Sequence, residues 1–195
     1  MSSRERILAA VSKNQPALTP MPGVPLFQLE ALDLVEKFSQ VAVSIGSGVF
    51  QVKSYEEVQD ILANDFKVHH RIISHVPELA SFADTTLLED QHRHKLENVD
   101  LAIVKGHFGV AENGASWVTE DLMGLRVVPF ICQHLAIILP KDSIVPLMHD
   151  AYEKIGTAEY GYGVFIAGPS KTADIEQSLV LGAHGPRTLS VFLMG

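Results

Sequence analysis

A chain of 195 residues, 47% hydrophobic and 19% charged, is long enough for one domain with a sizeable core. Its formal net charge is -8 and no Lys/Arg cluster stands out, which argues against nucleic acid and anionic membrane as partners. The single cysteine, Cys132, excludes an internal disulfide and a four-cysteine zinc or iron–sulfur site.

In chain order, residues 3 to 13 have helical spacing, with Ile7, Leu8 and Val11 on one face. "PALTPMPGVP" follows, and Pro16, Pro20, Pro22 and Pro25 forbid a helix and favour an extended arm. Residues 1–25 are therefore expected as an N-terminal helix and proline-rich tether, and 26–195 as the domain. Packing of the helix back on its own domain is favoured over a swapped or partner-binding arm. The N-terminus lacks the apolar core of a signal peptide, and no apolar run is long enough to span a membrane. The expectation is a cytoplasmic protein without membrane insertion.

Residues 29 to 45 resume helical spacing through Leu34, Phe38, Val41 and Ile45. "GVFQV" is a strand candidate. "SYEEVQDILAN" is a helix opened by Ser54 and Glu57 as a capping box. "RIISH", "LAIV" at 101 to 104, "GASWV" and "HLAIILP" are further strand candidates, and "SIVPLMHDAYEKI" is a helix with Pro146 in its first turn. "GVFIAG" is a strand, "TADIEQSLVLG" a helix, and "TLSVFLM" a last strand. The alternation argues an α/β domain around a partly or wholly parallel sheet.

"GPSKTADIEQSLVLGAHGPR", residues 168 to 187, carries the densest punctuation. It is expected as strand, helix, strand. Gly168 and Pro169 turn the chain, Ser170 and Thr172 cap the helix, Asp174 and Glu176 favour its first turn, and Gly182 ends it. Gly-x-x-Lys-Thr is not a P-loop, so only the weaker anion site of an exposed helix N-terminus remains beside capping.

This stretch, with "GVAENGASWV" upstream, resembles the LUD-domain family of the lactate-utilisation protein C type, clearly so from about Val104 onward. The resemblance implies a mixed, mostly parallel sheet sandwiched by helices. That is the fold of CoA transferases, ribose-5-phosphate isomerase and glucosamine-6-phosphate deaminase. It also implies the cluster-free component of bacterial L-lactate oxidation to pyruvate, with iron–sulfur proteins as partners. No bound cofactor or metal is expected of such a member, and homo-oligomerisation is left open. Where many members read Ala-Glu-Thr-Gly-Thr, this chain reads Ala-Glu-Asn-Gly-Ala at 111 to 115.

Glu112 is the candidate catalytic residue. It follows a buried strand and precedes the Asn113-Gly114 turn signal, and "AENG" is similar to the Ser-Glu-Asn-Gly of CoA transferases, whose glutamate is the nucleophile. The competing reading is a carboxylate that accepts backbone N–H bonds and holds the turn. A small-molecule enzyme of the CoA-transferase or sugar-phosphate isomerase type, using Glu112, is thus the alternative function. Asn113, Arg126, Gly168, Ser170, Thr172, His184 and Arg187 are candidate ligand-binding residues. An arginine would take a carboxylate or phosphate, and His184 a proton. Glu112 and Asn113 are expected to share a cleft with the 168 to 172 loop, edged by Arg126 or Arg187 and suited to a small carboxylate or phosphate metabolite. His69, His70, His75, His92 and His94 lack a ligand pattern and are read as surface.

Overall fold

The chain starts with α1 (Ser3–Lys13), and its neighbour in sequence is α2 (Leu34–Ser44). Then come β1 (Ser47–Val52), α3 (Tyr55–Asp65), β2 (Ile72–Ser74), β3 (Leu101–Lys105), β4 (Phe108–Val110) and β5 (Ala115–Thr119). The two short helices α4 (Glu120–Met123) and α5 (Val128–Ile131) lead to β6 (His134–Pro140) and α6 (Met148–Ile155). The chain ends with β7 (Gly163–Ile166), β8 (Lys171–Ala173), β9 (Leu179–Leu181) and β10 (Thr188–Met194). This computed structural model describes residues 2–20, 23, 33–66, 70–85, 93–173 and 179–195.

Five strands form one parallel sheet in the order β1-β10-β6-β3-β2. Its inner strands β3, β6 and β10 are mostly apolar because both faces are covered. Side-chain alternation divides them between two cores. Ala102, Val104, Leu135, Ile137 and Val191 point to one core, with Phe38 and Ala42 of α2. Leu101, Ile103, Ala136, Ile138 and Phe192 point to the other, with Val58 and Leu62 of α3. Helices on both faces of a mostly parallel arrangement are the expected fold.

A second sheet, β4-β5-β7, is antiparallel. Trp117 and Phe165 pack in it with ring centroids 4.6 Å apart. The turn between β4 and β5 needs glycine: Gly114 has φ +68°, and a Cβ there would lie 2.9 Å from the backbone N and Cα of Ala42. β4 pairs antiparallel with β5, so "GVAENGASWV" forms a hairpin.

Four expectations change. First, Lys171–Ala173 and Leu179–Leu181 are paired antiparallel strands and not parts of a helix. Residues 174–178, with Asp174 and Glu176, lie outside the described residues. Ser170 already donates its N–H to Pro186 O at 2.8 Å and accepts from Gly182 N at 3.0 Å, which closes the segment as a ribbon. Gly182, at φ +76°, serves the ribbon's exit and not a helix end. Second, β7 belongs to the antiparallel sheet, so 164 to 194 is no parallel crossover. Third, α6 starts after Pro146, because Val145 N donates to Gly109 O and Val145 O accepts from Ala111 N, both at 2.8 Å. Residues 145–146 thereby run beside β4. Fourth, α1 buries no side chain against the domain among the described residues. Its capping box is complete (Ser2 N to Glu5 Oε2 2.6 Å, Glu5 N to Ser2 Oγ 3.2 Å), yet no residue in it is buried.

The capping at α3 differs in detail. Ser54 Oγ accepts from Glu57 N at 3.4 Å, but Glu57 Oε2 accepts from Lys53 N at 2.9 Å, one residue before the cap. The helix expected from 29 is described from Leu34, where the Asp33 carboxylate accepts from Val35 N and Glu36 N. Among the described residues, no helix is long and apolar enough to cross a membrane.

Candidate functional site

The carboxyl end of β3 passes through Gly106, where a Cβ would lie 2.6 Å from Leu139 Cδ2 and 3.1 Å from Trp117 O. A side chain there would press on Leu139 and crowd the Trp117 carbonyl. His107 follows, and its N–H donates to Trp117 O at 2.9 Å. That register places His107 beside the far end of β5, where Thr119 is buried.

His107 Nε2 lies 2.5 Å from Thr119 Oγ1, and the same hydroxyl donates to Asp121 Oδ1. Thr119 is the N-cap of α4, but its side chain makes no cap bond to the helix because it joins His107 to Asp121. The next residue in chain order, Glu120, pairs through Oε2 with Arg126 Nε. This hydrogen bond holds the guanidinium's pKa above its ordinary value. The guanidinium also sits 5.5 Å from the Tyr162 ring centroid.

These groups line a groove of about 1370 Å³. Trp117 and Tyr160, edge to face at 5.3 Å, form an aromatic wall. Lys154 of α6 stands over Phe108 at 4.9 Å. The site thus combines an imidazole held by a hydroxyl–carboxylate relay, two cations and an apolar wall.

Of the residues singled out in the sequence, Arg126 lines this groove. Glu112 is exposed and lies outside it; its Oε2 accepts from Met148 N at 2.8 Å, at the start of α6. Asn113 Oδ1 accepts from Ala115 N at 3.1 Å and shapes the hairpin turn. Gly168, at φ +73°, packs on α2, where a Cβ would lie 2.9 Å from Ile45 O. Thr172 Oγ1 reaches Val180 O at 3.4 Å within the ribbon. His184 is exposed, and exposed Arg187 donates its backbone N–H to Gln133 O at 2.7 Å. The 111 to 114 turn and the 168 loop meet through α2, on Ala42 and Ile45, and not through this groove. Of the histidines read as surface, His69 and His92 lie outside the described residues.

A smaller groove of about 400 Å³ opens at the amino ends of β1 and β10. His134 lines it, with Nδ1 2.8 Å from Thr188 Oγ1 and its ring 5.2 Å from Phe66. Burial lowers the His134 pKa, and Arg187 adds to the shift.

The sequence reading missed His107, Thr119 and Asp121. Thr119 and Asp121 lie 12 and 14 positions after His107, and the hairpin centred on Glu112-Asn113 brings them together. Reading "FGV" as a strand opposite "ASW" would have found them.

The LUD domain family model matches residues 53–194, starting well before the stretch that carried the resemblance. Lactate utilization protein C of Halalkalibacterium halodurans is 26% identical over 94% of this chain and 88% of its own length. That of Exiguobacterium sp. is 28% identical over 83% of this chain and 78% of its own. Lactate utilization protein C 1 of Bacillus mycoides is 34% identical over 45% of this chain and 40% of its own. A crystal structure of a DUF162 family protein from Deinococcus radiodurans aligns with a TM-score of 0.66 over 86% of this chain and all of that one, at 17% identity, which is a likeness of fold. The chain belongs to the LUD-domain family.

Proposed function

We propose that this chain is a cluster-free, cytoplasmic component of L-lactate utilisation that acts with iron–sulfur protein partners in the oxidation of lactate to pyruvate. The observation that carries the reading is the alignment of a lactate utilization protein C across 94% of this chain and 88% of that protein. The chemistry of Cys132 supports the division of labour. The thiol is buried, and loss of solvation pushes its pKa up to about 12, so it stays protonated and is a poor cluster ligand. Electron transfer then falls to the partners, and this chain handles the small carboxylate.

Deletion of the gene from the native host tests the reading. Growth on L-lactate should stop while growth on pyruvate continues, and a tagged copy should co-purify with iron–sulfur proteins. Undiminished growth on L-lactate would refute it. The alternative, an enzyme of the CoA-transferase or sugar-phosphate isomerase type centred on Glu112, predicts a defect on other carbon sources that a Glu112→Gln copy fails to repair.

A further inference from the structure

The relay on β4 and β5 fixes more than a position. An ionised carboxylate only accepts hydrogen bonds, so the Thr119 hydroxyl donates to Asp121. The lone pairs of Thr119 Oγ1 then accept from His107, and the proton on the imidazole belongs on Nε2. The other ring nitrogen, Nδ1, is then an acceptor without a protein hydrogen-bond partner among the described residues.

Arg126 supplies the complementary group. Glu120 engages its Nε, and the Tyr162 ring packs against the guanidinium, which leaves the outer nitrogens to meet a ligand. A guanidinium presents paired donors that match a carboxylate. The two arms hang on consecutive residues: Thr119 and Asp121 hold His107, and Glu120 holds Arg126. His107 and Arg126 line the same groove, together with the three residues that hold them.

We propose that this groove binds a 2-hydroxy acid, with the carboxylate on Arg126 and the hydroxyl donating to His107 Nδ1. Recognition reads the head group, because a groove of about 1370 Å³ is far larger than a three-carbon acid and its aromatic wall suits longer side chains as well. A 2-keto acid has no hydrogen to donate, and its keto oxygen would face the Nδ1 lone pair. A simple acid such as propionate lacks the hydroxyl altogether. The inference rests on the lactate-utilisation reading for its choice of probe, and on the groove for its chemistry.

The test uses the full chain with ¹⁵N-labelled histidine, titrated with L-lactate, pyruvate and propionate at neutral pH and followed by NMR. The expected results are a His107 ring protonated on Nε2, saturable shifts of that ring with L-lactate, and binding about tenfold weaker for propionate. Thr119→Val, confirmed folded by its melt, should lose the Nε2 tautomer and the preference for L-lactate. Arg126→Lys should weaken all acids alike. A ring protonated on Nδ1, no response to L-lactate, or equal affinity for L-lactate and propionate would each overturn the proposal. A host that needs the gene for growth on L-lactate, with a chain that ignores lactate at His107, sinks the groove assignment and leaves the function. Lactate binding at His107 without any growth defect does the reverse.

Discussion

Removing the Glu112 carboxylate separates a residue that holds the fold from one that serves the reaction. Its Oε2 accepts Met148 N–H at 2.8 Å, at the first residue of α6. That helix has a leucine at its N-cap, which can offer no side-chain acceptor, so Glu112 satisfies a free N–H from outside the helix. A charge-assisted bond of this kind is worth about 1.5–3 kcal/mol when buried, and less here because Glu112 is exposed. Loss of a helix cap costs about 0.5–2 kcal/mol. Glu112→Ala should therefore cost about 1–2 kcal/mol. Glu112→Gln keeps an acceptor and forfeits only the charge at the positive end of the helix, about 0.3–1 kcal/mol. Urea unfolding at neutral pH reads both as a lower midpoint with an unchanged slope. At this chain length each kcal/mol moves the melting temperature by about 2–4 °C. Two results would refute the reasoning: a Glu112→Ala midpoint equal to wild type, or a Glu112→Gln protein of full stability that fails to support growth on L-lactate.

Gly114→Ala should cost about 2–5 kcal/mol, measured by the same unfolding, because it combines a left-handed backbone with overlap onto the Ala42 backbone. Cys132 should resist alkylation in the native state and react only on unfolding, which a thiol-trapping time course with and without urea checks. Its folded pKa, at about 12, lies above the unfolded value near 9. The stability it contributes is full below pH 9 and is lost as pH rises towards 12. By pH 10 the loss is about 1.4 kcal/mol, and Cys132→Ala should flatten that alkaline limb. His134 has the opposite sense: burial first, then Arg187 and His70, lower its folded pKa against the pull of Asp100 and Asp65. Stability from its neutral form is full above the ordinary histidine range and lost as pH falls below about 6.5, so His134→Gln should flatten the acid limb of the melting profile.

The parallel sheet was legible because its strands are buried on both faces. Residues 101–104 and 135–139 read as unbroken apolar runs, and such runs have few other fates. In the second sheet, β5 and β7 were read as strands from "GASWV" and "GVFIAG", but β4, three residues long, is too short to show a period. The 171 to 181 segment misled for a different reason. Glycine, proline and hydroxyl residues punctuate a ribbon as well as a helix, and the bonds that decide, from Ser170 to Pro186 and Gly182, join residues 12 to 16 positions apart. Arg126 was found by residue type alone. His107 was missed because its meaning depends on Thr119 and Asp121, which no local pattern connects to it. Glu112 drew attention through a family likeness, and its surroundings give it the work of a cap.

Growth on L-lactate of the deleted host, complemented with matched variants, tests the central claim that the His107–Arg126 groove serves lactate utilisation. Copies carrying wild type, Glu112→Gln, His107→Phe or Arg126→Gln would be compared at equal expression, each with its melt measured. Wild type and folded Glu112→Gln are predicted to restore growth, while folded His107→Phe and Arg126→Gln are not. Full growth with both groove variants would contradict the account.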